Sequence, residues 1–254
     1  MSPFVAFWES KAGTARSDWE DGCAYSPESG WFAIADGASA GTSSREWAYT
    51  LVDRFVGDRP HDLLRADEWL GSRFLRWLAD VRADFDPESE AFRQTHVPDW
   101  VRAAGRRQGA FSTFLGGRIS VANWAAVAVG DCCLFQLHAP DRRVTMFPLG
   151  SAAEIGTTPE LIPSMAVDDG ALLRSLRHGG GRLQPDDTIF AGTDAIAEWM
   201  IRGRERPDVW SVLSRIGNEG FATLCADLRE RREMRNDDVT LLRYRLPAEH
   251  WDVD

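Results

Sequence analysis

Four aspartates stand where an apolar run stops or starts. Asp36 follows the run 31–35, Asp131 follows 125–130, Asp194 follows 189–193, and Asp237 immediately precedes 239–244. A buried strand delivers the residue at its end to a fixed place, so carboxylates whose strands finish at one rim meet in one site. Like charges crowded together raise one another's pKa and cost stability unless a cation compensates. Oxygen donors of this kind select hard divalent ions, magnesium or manganese, over zinc. Aspartate is also common in turns and at helix N-caps, so any one of the four has a bland explanation. Their recurrence at strand ends is what points to chemistry.

The remaining metal-binding residue types offer no competing site. The cysteines at 23, 132, 133 and 225 have no C-x-x-C spacing, and the histidines at 61, 96, 138, 178 and 250 form no H-x-x-x-H or H-E-x-x-H pair. A disulfide framework and a thiolate zinc site are thereby disfavoured, and a reducing cytoplasm is expected. Ser43-Ser44 lacks a G-x-S-x-G setting, and Gly179-Gly180-Gly181 is not followed by Lys-Ser/Thr. A nucleophile elbow and a phosphate-cradling loop are therefore not indicated. The triple glycine reads as a flexible loop.

The elements that must position the carboxylates follow from hydrophobic period and turn residues. Strands are expected over 4–8, 23–25 and 31–35, with a turn at 27–30. A helix follows, opened by the capping-box pair Ser43 and Glu46 and closed at Gly57. A second helix is expected over about 62–83, and a segment over 88–107 is expected to break at Pro98. From 110 to 147 strand formers dominate, with turns at Gly116-Gly117 and Pro140-Asp141. Residues 148–168 hold three prolines and two glycines and read as an irregular excursion. A strand over 188–191 leads into a short helix. One further helix opens at Pro207, another carries Phe221, Leu224, Cys225 and Leu228, and a strand over 239–244 follows. Strands adjacent in sequence with helices outside them predict an α+β layered domain with antiparallel sheets, not a doubly wound parallel sheet.

The chain is 254 residues long, 44% hydrophobic, with eleven Trp, and shows no repeat or low-complexity linker, so a single domain over 1–254 is expected. With 29 basic and 39 acidic residues the net charge is -10, and no basic stripe suits a phosphate backbone, which argues against nucleic acid as a partner. Apolar runs are too short to span a bilayer, so no membrane association is expected. The first ten residues carry no secretory pattern.

The wording around the aspartates adds a family resemblance. ARSDWED, FAIADGASAG, VAVGDCCLF, DTIFAGTDAIAEW and NDDVTLLRY occur in that order. Together, from Arg16 to Tyr244, they resemble the signatures of the metal-dependent PP2C (PPM) protein phosphatases, in a divergent bacterial form: R-x-x-x-E-D, V-x-D-G, A-N-x-G-D-S, a strand ending S-D-G, and D-N-x-T. The resemblance implies a four-layer α/β/β/α sandwich and a serine/threonine phosphoprotein phosphatase using two or three manganese or magnesium ions. It assigns Asp36 as the ligand bridging two ions, the Gly37 carbonyl as a further ligand, and Asp194 and Asp237 as the rest of the first ion's shell. Glu20 would serve the second ion, Asp131 a third and weaker one. Asp21 would orient the attacking water and Arg16 would grip the phosphate, its planar fork suiting that task better than a lysine. Two ions sharing one water lower its pKa and neutralise the phosphoryl oxygens, so no protein nucleophile is needed.

The sequence departs from the pattern at Ala195 for Gly, Cys132 for Ser and Asp238 for Asn; none removes a proposed carboxylate. No histidine follows Asp36-Gly37, where Ala38 stands. The implied partner is a phosphorylated protein, linked to a serine/threonine kinase, and the excursion 148–168 would be a flap beside the cleft. Two other readings stay open: a catalytically silent phosphoprotein-binding or signalling module, and a phosphoesterase for small molecules.

Overall fold

The computed structural model describes residues 2–15, 18–38, 43–86, 109–139, 141–155, 159–166 and 169–245. One sheet runs in the order β1 (Phe4–Glu9), β12 (Val239–Arg245), β11 (Thr188–Gly192), β7 (Cys133–Leu137), β8 (Val144–Phe147). The other runs β10 (Arg177–Arg182), β6 (Asn123–Val129), β5 (Phe114–Ile119), β3 (Trp31–Ala35), β2 (Gly22–Tyr25). Every neighbouring pair in both is antiparallel. A small ribbon pairs β4 (Phe111–Ser112) with β9 (Ile162–Pro163).

Alternation along the strands sets the layers. In β3, Phe32 and Ile34 point into the core between the sheets, beside Leu115, Ala126, Leu134, Ile189 and Leu242. Trp31, Ala33 and Ala35 point the other way, onto α1 (Ser44–Asp58) and α2 (Leu70–Asp84), whose Trp47, Leu51, Phe55, Phe74 and Leu78 complete an outer core. On the far side Phe7, Phe135, Phe190 and Leu241 meet α4 (Asp194–Arg202), α5 (Pro207–Arg215) and α6 (Asn218–Glu230) through Trp199, Trp210, Leu213 and Phe221. A further short helix, α3 (Asp169–Ser175), was not apparent from the sequence. The result is the expected α/β/β/α sandwich. Each buried large side chain contributes about 1.5–3 kcal/mol, and edge-to-face aromatics such as Trp31–Phe55 and Phe55–Phe114, with centroids 5.4 and 5.2 Å apart, tie α1 to its sheet.

Several local expectations are corrected by tertiary packing. Ser43 occupies the N-cap of α1 but makes no side-chain cap bond, and the helix runs past Gly57 to end at left-handed Arg59. The second helix is split into a 3-10 turn over His61–Leu64 and α2, because Asp67 accepts the backbone N–H of Trp69 (2.9 Å) and a bond from Arg73 (2.8 Å). Gly116-Gly117 is no turn but the middle of β5: a Cβ at Gly116 would lie 2.5 Å from Phe114 and 2.7 Å from Phe55, so the absent side chain is what lets those rings cross the sheet. Gly179-Gly180-Gly181 is likewise the edge strand β10, where Phe147 and Trp124 occupy the space of the missing Cβ atoms at 179 and 181. The hairpin joining β7 to β8 is present where Pro140-Asp141 predicted a turn, Pro140 itself lying outside the described residues. The segment 88–107 also lies outside them. Within 148–168 the described residues form a single 3-10 turn (Ala152–Glu154) and β9. No helix among the described residues is long and apolar enough to cross a membrane.

Candidate active site

Strand register carries the carboxylates to one rim. Gly22 at the start of β2 pairs with Ala35 at the end of β3, so Asp21 and Asp36 leave the sheet side by side. Gly192 at the end of β11 pairs with both Leu241 and Cys133, which brings Asp194, the segment before β12 and Asp131 to the same end of the other sheet. The chain crosses between the sheets there, from Val129 to Cys133. Gly130 makes the crossing with φ +93, and a Cβ on it would stand 2.7 Å from Thr113 Cγ2 and 2.9 Å from the Glu160 carbonyl oxygen. Gly130→Ala therefore combines left-handed strain of about 1–2 kcal/mol with a backbone clash. We expect a loss of at least ~2 kcal/mol in urea or thermal unfolding, with Asp131 displaced. An unchanged stability would show that the crossing relaxes freely.

Electrostatics shows that these groups sense one another. Burial raises Asp36 well above the ordinary carboxylate range, and repulsion from Asp21, Asp194, Asp237 and Asp131 pushes it further. Burial likewise raises Asp131 to about 7, with Asp194 and Asp237 adding to the effect and Arg235 opposing it. Asp21 is pushed up to about 8, chiefly by burial, with Asp238 and Asp194 contributing. Asp194 is also raised by burial, against the pull of Arg235.

Asp21 belongs to one sheet and is gripped by the other. Thr193 Oγ1 donates to its Oδ2 at 3.0 Å and Thr240 Oγ1 donates to the same oxygen at 2.7 Å, while the Thr240 N–H donates to Thr193 Oγ1 at 2.9 Å. Asp21 Oδ1 and both oxygens of Asp131 are buried with no partner from another residue among those described. Buried carboxylate oxygens left unpaired are costly, and an all-oxygen donor set of this kind fits a hard divalent cation. Among the described residues, however, no three Asp, Glu, His or Cys side chains already close into a ligand set. Two of the carboxylates instead hold cations of the chain itself: Arg235 Nη2 donates to Asp194 Oδ2 at 2.6 Å, and Lys11 Nζ donates to Glu20 Oε2 at 3.2 Å. Lys11 is the sole lysine of the sequence.

The other expected residues take these places. Gly37 is bridged to Ser112, and a Cβ there would lie 2.8 Å from the Glu20 carbonyl oxygen and 2.9 Å from that of Ser44, so only glycine lets these segments close on each other. Asp237 is half-buried, and its carbonyl oxygen accepts a 2.6 Å bond from Arg229, which also donates to the Ser10 carbonyl. Arg16 lies outside the described residues. The departures are accommodated: Ala195 lies within α4, where no glycine torsion is needed. The Cys132 Sγ sits 3.1 Å from Thr113 Oγ1 in the inter-sheet core. Asp238 is buried and accepts the backbone N–H of Lys11 and of Glu20, both at 2.8 Å. It is thus a clamp on the Glu20-Asp21 segment as well as an added charge. Arg229 and Arg235 are marked by no sequence motif, whereas Thr193 and Thr240 fall within the quoted segments DTIFAGTDAIAEW and NDDVTLLRY, in which only the aspartates stood out.

No protein-family model and no curated protein matches the sequence. Solved structures do. The chain is similar to the catalytic domain of the serine/threonine protein phosphatase PstP, solved with two manganese ions, at 15% identity over 96% of this chain and 98% of that one, with TM-score 0.59. It is similar to the serine/threonine phosphatase Stp1 from Staphylococcus aureus at 12% identity over 98% and 96%, TM-score 0.62. PppA, described as a key regulatory component of T6SS in Pseudomonas aeruginosa, aligns at 16% identity over 96% and 98%, TM-score 0.54. At such identities the likeness establishes the fold, and the chain has the PP2C-type phosphatase fold.

Proposed function

We propose that this protein is a metal-dependent serine/threonine phosphoprotein phosphatase that hydrolyses phosphomonoesters. The observation that carries the reading is the rim of buried, mutually repelling carboxylates, with Asp131 finding no partner from another residue among those described, at the place where the strands of both sheets end. Asp36, the Gly37 carbonyl, Asp194 and Asp237 would hold a first divalent ion, Glu20 a second and Asp131 a third. Manganese or magnesium, when bound, supplies Lewis acidity that lowers the pKa of a water and neutralises phosphoryl oxygens.

The chain's own groups do the rest. Asp21, with Oδ2 pinned by two hydroxyls, is left with Oδ1 to orient an attacking water. Arg16 would orient the phosphate through two parallel hydrogen bonds. With Ala38 following Gly37, the leaving alkoxide takes its proton from water or another side chain. The substrate would be a phosphorylated protein supplied by a serine/threonine kinase in the cytoplasm, with the excursion 148–168 as a flap bearing on substrate choice.

The test is release of phosphate from a phosphothreonine peptide and an aryl phosphate, with manganese and with EDTA. Release that needs manganese is expected, with the peptide preferred. A second reading, a silent phosphoprotein-binding module, draws support from Arg235 and Lys11 seated on Asp194 and Glu20. Metal binding without phosphate release from either substrate would install that reading instead, whereas aryl phosphate turnover without peptide turnover would indicate a small-molecule phosphoesterase.

A further inference from the structure

Arg235 lies in the segment between α6 and β12 and reaches across to α4. Its Nη2 donates to Asp194 Oδ2 at 2.6 Å, and its Nε stands 3.2 Å from Glu198 Oε2 in an ion pair. Asp194 and Glu198 are one turn apart, so they share a helix face and one guanidinium spans both. Their side chains are largely buried, at 10% and 17% exposure, while that of Arg235 is 39% exposed and can move outward. Glu198 also receives Arg202 on its other oxygen. Arg235 thus has two seats, one on a carboxylate assigned to the ion and one that is not, and its charge reaches Asp131 as well.

We propose that Arg235 is a positioning residue that serves as a tethered cation: it occupies Asp194 while no ion is bound, releases it for a divalent ion while keeping Glu198, and so sets the site's metal affinity. The inference rests on the proposed metal-dependent reading, but its consequences appear in binding and not only in turnover. An ion must displace a charge-assisted bond, which weakens its apparent affinity. The same bond holds the empty site together against carboxylate repulsion.

Arg235→Gln tests this by calorimetric titration with manganese alone and by melting in EDTA. We expect manganese to bind roughly tenfold more tightly, the worth of one charge-assisted hydrogen bond, while the EDTA-treated protein melts at a lower temperature than wild type. A residue that merely stabilised the fold would lower both. Arg202→Gln removes an equal charge from the same face without touching Asp194 and should shift the manganese Kd by less than about threefold. Equal tightening in both variants, or none in Arg235→Gln, overturns the inference and leaves the metal reading intact. Absence of manganese binding in wild type and both variants overturns the metal reading, and the inference with it. Should Arg235→Gln fail to fold, Arg235→Lys keeps the charge but cannot span two carboxylates, and an unchanged Kd there sinks the proposal.

Discussion

Asp36→Asn is expected to make the metal-free protein more stable at pH 8 while abolishing phosphate release. Asp36 carries the charge that the site opposes most broadly, since burial and four neighbouring aspartates all act against it. The amide keeps the shape, and the bonds that anchor this residue come from its backbone: Thr113 N–H donates to its carbonyl at 2.9 Å and Thr113 Oγ1 accepts from its N–H at 3.2 Å. Neutralisation therefore removes repulsion without removing support. A gain of about 1–2 kcal/mol corresponds to a few degrees in Tm for a domain this size. Loss of the proposed bridging ligand should cut turnover by on the order of a thousandfold, several kcal/mol of transition-state stabilisation. Asp194→Asn should lose turnover without the gain, because it strips Arg235 of a partner. Retained turnover in Asp36→Asn would remove this residue from the mechanism, and a lower metal-free Tm would contradict the repulsion argument.

Metal-free stability should fall as pH rises from about 4 to 8, the reverse of the usual behaviour of salt-bridged carboxylates. Asp131 and Asp21 titrate at about 7 and about 8, and Asp36 and Asp194 are also raised. An unfolded aspartate titrates near 3.9. Below that value both states are protonated and the contribution is fully present. Between it and the raised values the unfolded chain releases protons that the native state retains, so stability is lost as pH climbs through 7 and 8. Every tenfold difference in proton affinity between the native and unfolded states is worth about 1.4 kcal/mol, so the decline should be several kcal/mol. Manganese, by holding the carboxylates ionised, should erase the decline and add about 2.7 kcal/mol at a hundredfold excess over its Kd. Unfolding at pH 5.5, 7 and 8.5 with EDTA and with manganese reads both effects. Parallel curves would mean that no ion occupies this rim.

The layers were legible because alternation is written into each strand: Phe32 and Ile34 against Trp31, Ala33 and Ala35. The carboxylates were legible because an aspartate after an apolar run has few other readings when it recurs. What stayed hidden depends on contacts between distant segments. Glycine runs read as a turn at 116–117 and a flexible loop at 179–181 by local propensity, yet at 116 and 179 their smallness makes room for Phe55 and Phe147, brought in from elsewhere in the chain. Thr193 occupies the N-cap of α4 and Thr240 lies in β12, and their hydroxyls show no purpose until the fold aims both at Asp21. Arg235 is one arginine among many, and its distinction is a pair of carboxylates on α4 that no sequence pattern marks.

The threonine grip on Asp21 makes the mouth of the sandwich a seam. Sheets that touch only through apolar side chains can slide by small amounts as their cores are repacked. Here a carboxylate of one sheet is stitched to two hydroxyls of the other, and the chain itself passes across at Gly130. Relative sliding is therefore resisted at the rim where the aspartates gather, while the outer helices are held by packed apolar side chains, which tolerate exchange as long as volume is kept. A chain built this way can change its flanks while the rim keeps its spacing.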